Sequence, residues 1–146
     1  MQIPQDSIDK AFHDLLATNS AAQFNSLRDI FPISGGPEQL LWLFLHGRSS
    51  KLPQLAKNIV SEAGFNPNYL HGDQKGYLHL IVDNLQMTAQ VYLESSAVAD
   101  AKCFLAAGCQ IDLPDGNGNT ALAHLQTFDT KFPKLESLFE RRMALV

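Results

Sequence analysis

Phe104-Leu-Ala-Ala-Gly108-Cys-Gln-Ile-Asp112-Leu-Pro-Asp115-Gly-Asn-Gly118-Asn-Thr120-Ala-Leu122-Ala-His-Leu125 is the stretch that settles how the chain is organised. Its apolar opening reads as the end of a helix. Gly108 stops that helix, because glycine takes the left-handed conformation without the penalty a Cβ would bring. Asp112, Asp115, Asn117 and the glycines supply tight-turn chemistry, with Ile111 as an apolar anchor among them. Thr120 then caps a new helix through its hydroxyl, and Leu122 is expected to enter the core.

Upstream, Gly64-Phe-Asn-Pro-Asn68-Tyr-Leu-His-Gly-Asp73-Gln-Lys-Gly76-Tyr-Leu78-His79-Leu80 follows the same order of stop, polar turn and restart. Gly64 matches Gly108 and Leu78 matches Leu122; both offsets are 44 residues (108 − 64 and 122 − 78). A pair at Leu45-His46 lies 33 residues before Leu78-His79 (78 − 45) and is read as a third copy.

In these features the chain resembles the ankyrin repeat, whose helix–turn–helix units end in leucines and a Gly, turn through an Asn- or Asp-bearing hairpin and restart at Thr-Pro-Leu-His. The resemblance covers roughly residues 37–146 and is strongest over 101–125. Its departures are specific. The Pro of the motif is Ala121 and its His is Ala123 in the last unit, while Gly76-Tyr77 stands for Thr-Pro in the middle one. A spacing of 44 instead of 33 implies an insertion of 11 residues (44 − 33), placed within 83–96, which reads either as a helix extended from Tyr77 or as a long inter-helix loop. The fold class expected is therefore all-α: a helical solenoid of about three ankyrin-like helix–turn–helix units with short hairpin loops. Residues 1–36 form a helical N-terminal cap, and 1–146 is one domain.

The local signals fill in the rest. Asp6 or Ser7 is placed to cap a first helix with Ile8, Phe12, Leu15 and Leu16 on one face, and Ser20 a second with Phe24, Leu27 and Ile30 on one side. Pro32 to Gly36 breaks the pattern, and Pro37 suits the first position of the next helix. Leu40–Leu45 is apolar almost all round, hence buried between neighbours, and Gly47 ends it. Leu55, Ile59 and Val60 mark another helix, closed by Gly64; Leu135, Leu138, Phe139 and Met143 mark the last, with Arg141 and Arg142 near its negative end.

Composition excludes several classes. A net charge of −4 with 11 scattered basic residues opposes nucleic-acid binding, which needs clustered Lys and Arg. The longest apolar run, Leu40–Leu45, is far short of the roughly 20 residues that span a bilayer. The N-terminal residues carry neither the basic start nor the apolar stretch of a signal peptide. Two cysteines and no Asn-x-Ser/Thr site suit a reducing, cytoplasmic setting, although delivery by a signal-less secretion route leaves no trace in a sequence.

No catalytic site, cofactor or metal is expected. Cys103 and Cys109 read as small buried hydrophobes, and His79 falls on the position where, in the family, the ring bridges neighbouring units. His13, His46 and His71 have no metal-like spacing with Cys. Asp115-Gly-Asn117-Gly-Asn119 opens like a calcium loop, but Thr120 and Gln126 stand where that loop requires Gly and Glu. Ser34-Gly-Gly-Pro37 reads as a plain loop rather than an anion cradle.

The resemblance implies instead that the chain binds another protein through its hairpin tips and concave helix face. The positions are Tyr69, Leu70, His71, Asp73 and Lys75 in one unit and Leu113, Pro114, Asn117 and Asn119 in the last. Tyr69, Leu70 and Leu113 are expected to be exposed anchors. A bacterial effector or adaptor fits this reading; the alternatives are a small helical inhibitor or immunity-type regulator of one enzyme, and a Cys/His hydrolase.

Overall fold

The computed structural model describes residues 2–88 and 91–146. All regular structure among them is helical: α1 (Gln5–Ala17), α2 (Ala21–Ile30), α3 (Gly36–Leu45), α4 (Gln54–Val60), α5 (Tyr77–Met87), α6 (Glu94–Ala106), α7 (Ala121–Gln126) and α8 (Pro133–Met143). No helix among them is long and apolar enough to cross a membrane.

Contacts arrange the helices in two rows. In one row α1 packs on α3, α3 on α5 and α5 on α7; in the other α4 packs on α6 and α6 on α8. Cross-row packing joins α5 to α6 and α7 to α8, while α2 lies against α1. Apolar periodicity accounts for the faces. Ile8, Phe12 and Leu16 turn the inner side of α1 onto Phe24 of α2, with the Phe12 and Phe24 rings 5.2 Å apart edge to face. The apolar α3, held between α1 and α5, buries Leu40, Leu41, Trp42, Phe44 and Leu45 and leaves Leu43 half out. At the centre Tyr77 of α5 stacks on Phe104 of α6, with centroids 4.5 Å apart and planes 11° from parallel.

Several local expectations are corrected. α1 starts at Gln5 behind Pro4, so neither Asp6 nor Ser7 caps it. Ser20 precedes α2 but makes no cap bond; its hydroxyl meets Thr18 Oγ1 at 3.0 Å instead. Ile30 is 71% exposed. Steps of three residues fall short of a helical turn, so by Ile30 the Phe24-Leu27-Ile30 series has rotated about 120° off the buried face. Leu78 is 3% exposed, but its counterpart Leu122 is only half-buried against the core. The reason is position: α5 has a helix on each side in its row, and α7 on one side only.

Two helix starts, those of α4 and α8, are capped by side chains from elsewhere in the chain. Of the eight, only Thr120 caps its own helix, with Ala123 N donating to Oγ1 at 3.1 Å. Asn19, left-handed at φ 57°, accepts from Leu55 N at the start of α4 (2.7 Å). Glu94 Oε2, at the start of α6, accepts from Lys134 N and Leu135 N in the first turn of α8. Asn84 of α5 closes the end of α3, donating to Leu45 O and accepting from Gly47 N. These bonds satisfy otherwise orphaned backbone groups and tie the helix pairs together.

The 44-residue spacing is accounted for in part by α5, which has 11 residues where α7 has 6. The helix thus extends from Tyr77 as far as Met87; of the span expected to hold the insertion, residues 89 and 90 lie outside the described residues. The third copy at Leu45-His46 is overturned. His79 is the third residue of α5, whereas His46 follows the last residue of α3 and has left the helix.

Candidate protein-binding surface

Two turns, 71–75 and 115–119, project beyond the starts of α5 and α7 with the same backbone plan. In the first, His71 N donates to Lys75 O (3.2 Å) and Gln74 N to His71 O (2.7 Å). In the second, Asp115 N donates to Asn119 O (2.9 Å) and Gly118 N to Asp115 O (3.0 Å). The left-handed residue sits at equivalent places, Gln74 (φ 63°) and Gly118 (φ 81°). The preceding helix stops, Gly64 (φ 86°) and Gly108 (φ 104°), correspond likewise. Asp115 Oδ1 accepts from Asn117 N and Asn119 N, while Asp73 Oδ1 accepts from Lys75 N. Burial pushes the Asp115 carboxyl up, but the bonds from the Asn119 and Asn117 amides outweigh it and hold the group below its usual value.

Each turn is tied, through the carbonyl of its last residue, to the helix that comes before its own in the α1–α3–α5–α7 row. His79 Nε2 donates to Asn119 O at 2.9 Å, and Trp42 Nε1 donates to Lys75 O at 2.8 Å. Because a carbonyl only accepts, Nε2 of His79 carries the proton. The indole of Trp42 therefore makes at the first turn the bond that the imidazole of His79 makes at the second. The two turns also touch: a Cβ on Gly116 would lie 3.0 Å from Gln74 Cβ, which leaves room there for glycine and little else.

The nine residues expected at the surface divide by exposure. Asp73, Pro114, Asn117 and Asn119 face solvent, whereas Tyr69, Leu70, His71, Lys75 and Leu113 are half-buried. The expectation of exposed anchors at Tyr69, Leu70 and Leu113 is corrected by their packing. Leu70 and Leu113 converge on Gly76, and the Tyr69 hydroxyl bonds His71 Nδ1 at 3.1 Å. His71 in turn stacks on Trp42, with centroids 3.9 Å apart. These side chains brace the turns against the stack, which leaves backbone and short polar groups as the outward chemistry.

Two residues of this surface had no signal in the sequence. Asp83 of α5 accepts from Lys75 Nζ through Oδ2 (2.8 Å) and lies against His124 Nε2 of α7 through Oδ1 (2.7 Å). The hydrogen bond to Asp83 raises the Lys75 pKa. One carboxylate thus joins a turn, its own helix and the next, an arrangement that sequence distance hides because its members lie far apart in the chain.

The cysteines stand apart from this surface. Burial pushes the Cys109 thiol up to about 12 and raises that of half-buried Cys103 as well. Since the thiolate is the reactive form, both should react with a disulfide reagent such as Ellman's at least about tenfold more slowly in the native chain than in denaturant, Cys109 the more slowly of the two. A native rate equal to the denatured one would contradict this burial.

No family model, curated protein or solved structure matches the chain.

Proposed function

We propose that the chain is a protein-binding module, built as a short ankyrin-like stack in which α3–α4, α5–α6 and α7–α8 are successive units and α1–α2 a helical cap. The observation that carries this reading is the repeated turn: equivalent hydrogen bonds, equivalent left-handed residues, and an equivalent tie from the helix before. Turns held on a stacked scaffold present backbone and short side chains at little further cost in ordering, which is what recognition of a partner protein requires. The pairing of Asp83 with Lys75 and His124 supports a preorganised concave side. An adaptor, an effector acting on a host protein, or an inhibitor of one enzyme would each use such a surface.

Asp73 and Asn117 occupy equivalent, solvent-facing positions on the two turns, and the Asn117 side chain makes no hydrogen bond among the described residues. The variant Asp73→Arg/Asn117→Arg is therefore expected to keep its helical circular dichroism and lose its partner. The check is affinity purification with wild type and variant as parallel baits: proteins retained equally by both would place the binding surface elsewhere.

A further inference from the structure

A groove lies on the row formed by α4, α6 and α8, on other helices than those that follow the turns. It runs between α6 and α8, shallow, with a volume of about 380 Å³. Val98, Pro133 and Leu138 line it with apolar surface, while Lys102, Lys134 and Arg141 stand around it. The register explains the grouping. Lys134, Leu138 and Arg141 recur at helical spacing on one face of α8, and Val98 and Lys102 sit four apart on α6.

The groove is cationic in a chain whose net charge is −4. Lys10, Arg28 and Lys75 each hold a carboxylate at 2.8 Å; Lys102, Lys134 and Arg141 are among the eight Lys and Arg with none within 4.0 Å among the described residues. No carboxylate lines the groove. Two acids of these helices are engaged elsewhere, Glu94 accepting from the first amides of α8 and Glu136 from Gln126 Nε2, while Glu140, next to Arg141, is exposed and makes no side-chain bond among the described residues. All three cations are exposed, and Arg141 Nε bonds only the Ser137 carbonyl of its own helix.

We infer that this groove docks an acidic peptide segment, one apolar side chain lying on Val98 and Leu138 while flanking carboxylates meet Lys102, Lys134 and Arg141. Charge complementarity selects the occupant, and the apolar floor selects a peptide over other anions. A nucleic-acid backbone would meet only three cations along the groove, a short track for phosphate contacts. The surface is distinct from the turns, so one molecule could hold two partners, or two parts of one.

The test is fluorescence anisotropy of a fluorescein-labelled peptide, Asp-Glu-Glu-Leu-Asp-Glu-Leu-Glu, titrated with the full chain. Binding should weaken as salt rises from roughly 50 to 300 mM, because exposed charge pairs are screened. Lys102→Glu/Arg141→Glu should cost more than about tenfold in affinity, and Lys102→Arg should bind like wild type. Should the charge reversal fail to fold, Lys102→Gln/Arg141→Gln is expected to show a smaller loss in the same direction. The Asp73→Arg/Asn117→Arg variant should bind the peptide as wild type does, which separates failure of this groove from failure of the turn surface. Three results would overturn the inference: no binding by wild type, undiminished binding by the charge-reversed variant, or equally tight binding of single-stranded RNA or of phosphatidylserine vesicles.

Discussion

Replacing Phe104 by Ala is expected to destabilise the chain by about 3–5 kcal/mol, the range for removing a large aromatic from a closed core. Phe104 is wholly buried, and its ring stacks on Tyr77 of the neighbouring helix. Tyr77 is itself buried, which raises its pKa far above the ordinary value and keeps it a neutral donor to Glu38 O at 2.6 Å. A cavity at 104 therefore loosens α6 from α5 and, through Tyr77, α5 from α3. Because that contact joins both rows of helices, the loss should appear as a shift of the whole urea transition followed by circular dichroism. A variant with an unchanged midpoint would mean that the rows are not packed through this pair. Phe104→Leu, which keeps apolar volume, should retain most of the stability.

Asp100→Ala is expected to cost about 3 kcal/mol, for a reason opposite in kind. Asp100 is a fully buried carboxyl on α6. Its Oδ1 accepts from Leu52 N at 3.1 Å and its Oδ2 from the Tyr92 hydroxyl at 2.7 Å. It thereby holds the loop before α4 and the approach to α6 on one group. Alanine leaves both donors buried and unpaired, and it removes the carboxyl nearest the Arg48 guanidinium, which lies 4.2 Å over the Phe44 ring. Asp100→Asn keeps an acceptor and should cost less.

The comparison with Asn also has a pH signature. Burial raises the Asp100 pKa above its ordinary 3.8, despite the opposing bonds from Tyr92 and Leu52. A carboxyl that binds its proton more tightly when folded contributes most stability below its unfolded value. That contribution declines as pH climbs above 3.8 towards the folded value. Wild type should therefore gain on Asp100→Asn as the medium is acidified toward pH 3.8, the reverse of a salt-bridged aspartate. Matched urea titrations across the acid range measure it. A gap that widens in favour of Asn on acidification would show that hydrogen bonding, not burial, governs this carboxyl.

Short-range chemistry was legible along the chain wherever a residue acts on its own backbone. Gly64, Gly108 and Gly118 announce left-handed positions, Thr120 announces a helix start, and the Asp and Asn clusters announce turns. These effects need no partner, so their positions and the 44-residue offset could be read directly, together with the all-helical class. Apolar spacing likewise marked Ile8, Phe12, Leu135 and Phe139 as core, because burial of one helical face follows from period alone.

What required the assembled chain was every contact between helices. Asn19 capping α4, Glu94 capping α8 and Trp42 holding the Lys75 carbonyl are bonds across tens of residues, and nothing local names the partner of any of them. The same holds for exposure on the proposed surfaces. Tyr69 and Leu113 look like free anchors in a polar loop until the neighbouring turn packs against them, and Lys102, Lys134 and Arg141 look scattered until α6 meets α8. Backbone preference belongs to one residue and its immediate neighbours; burial and charge pairing belong to whatever comes alongside, and only folding brings it there.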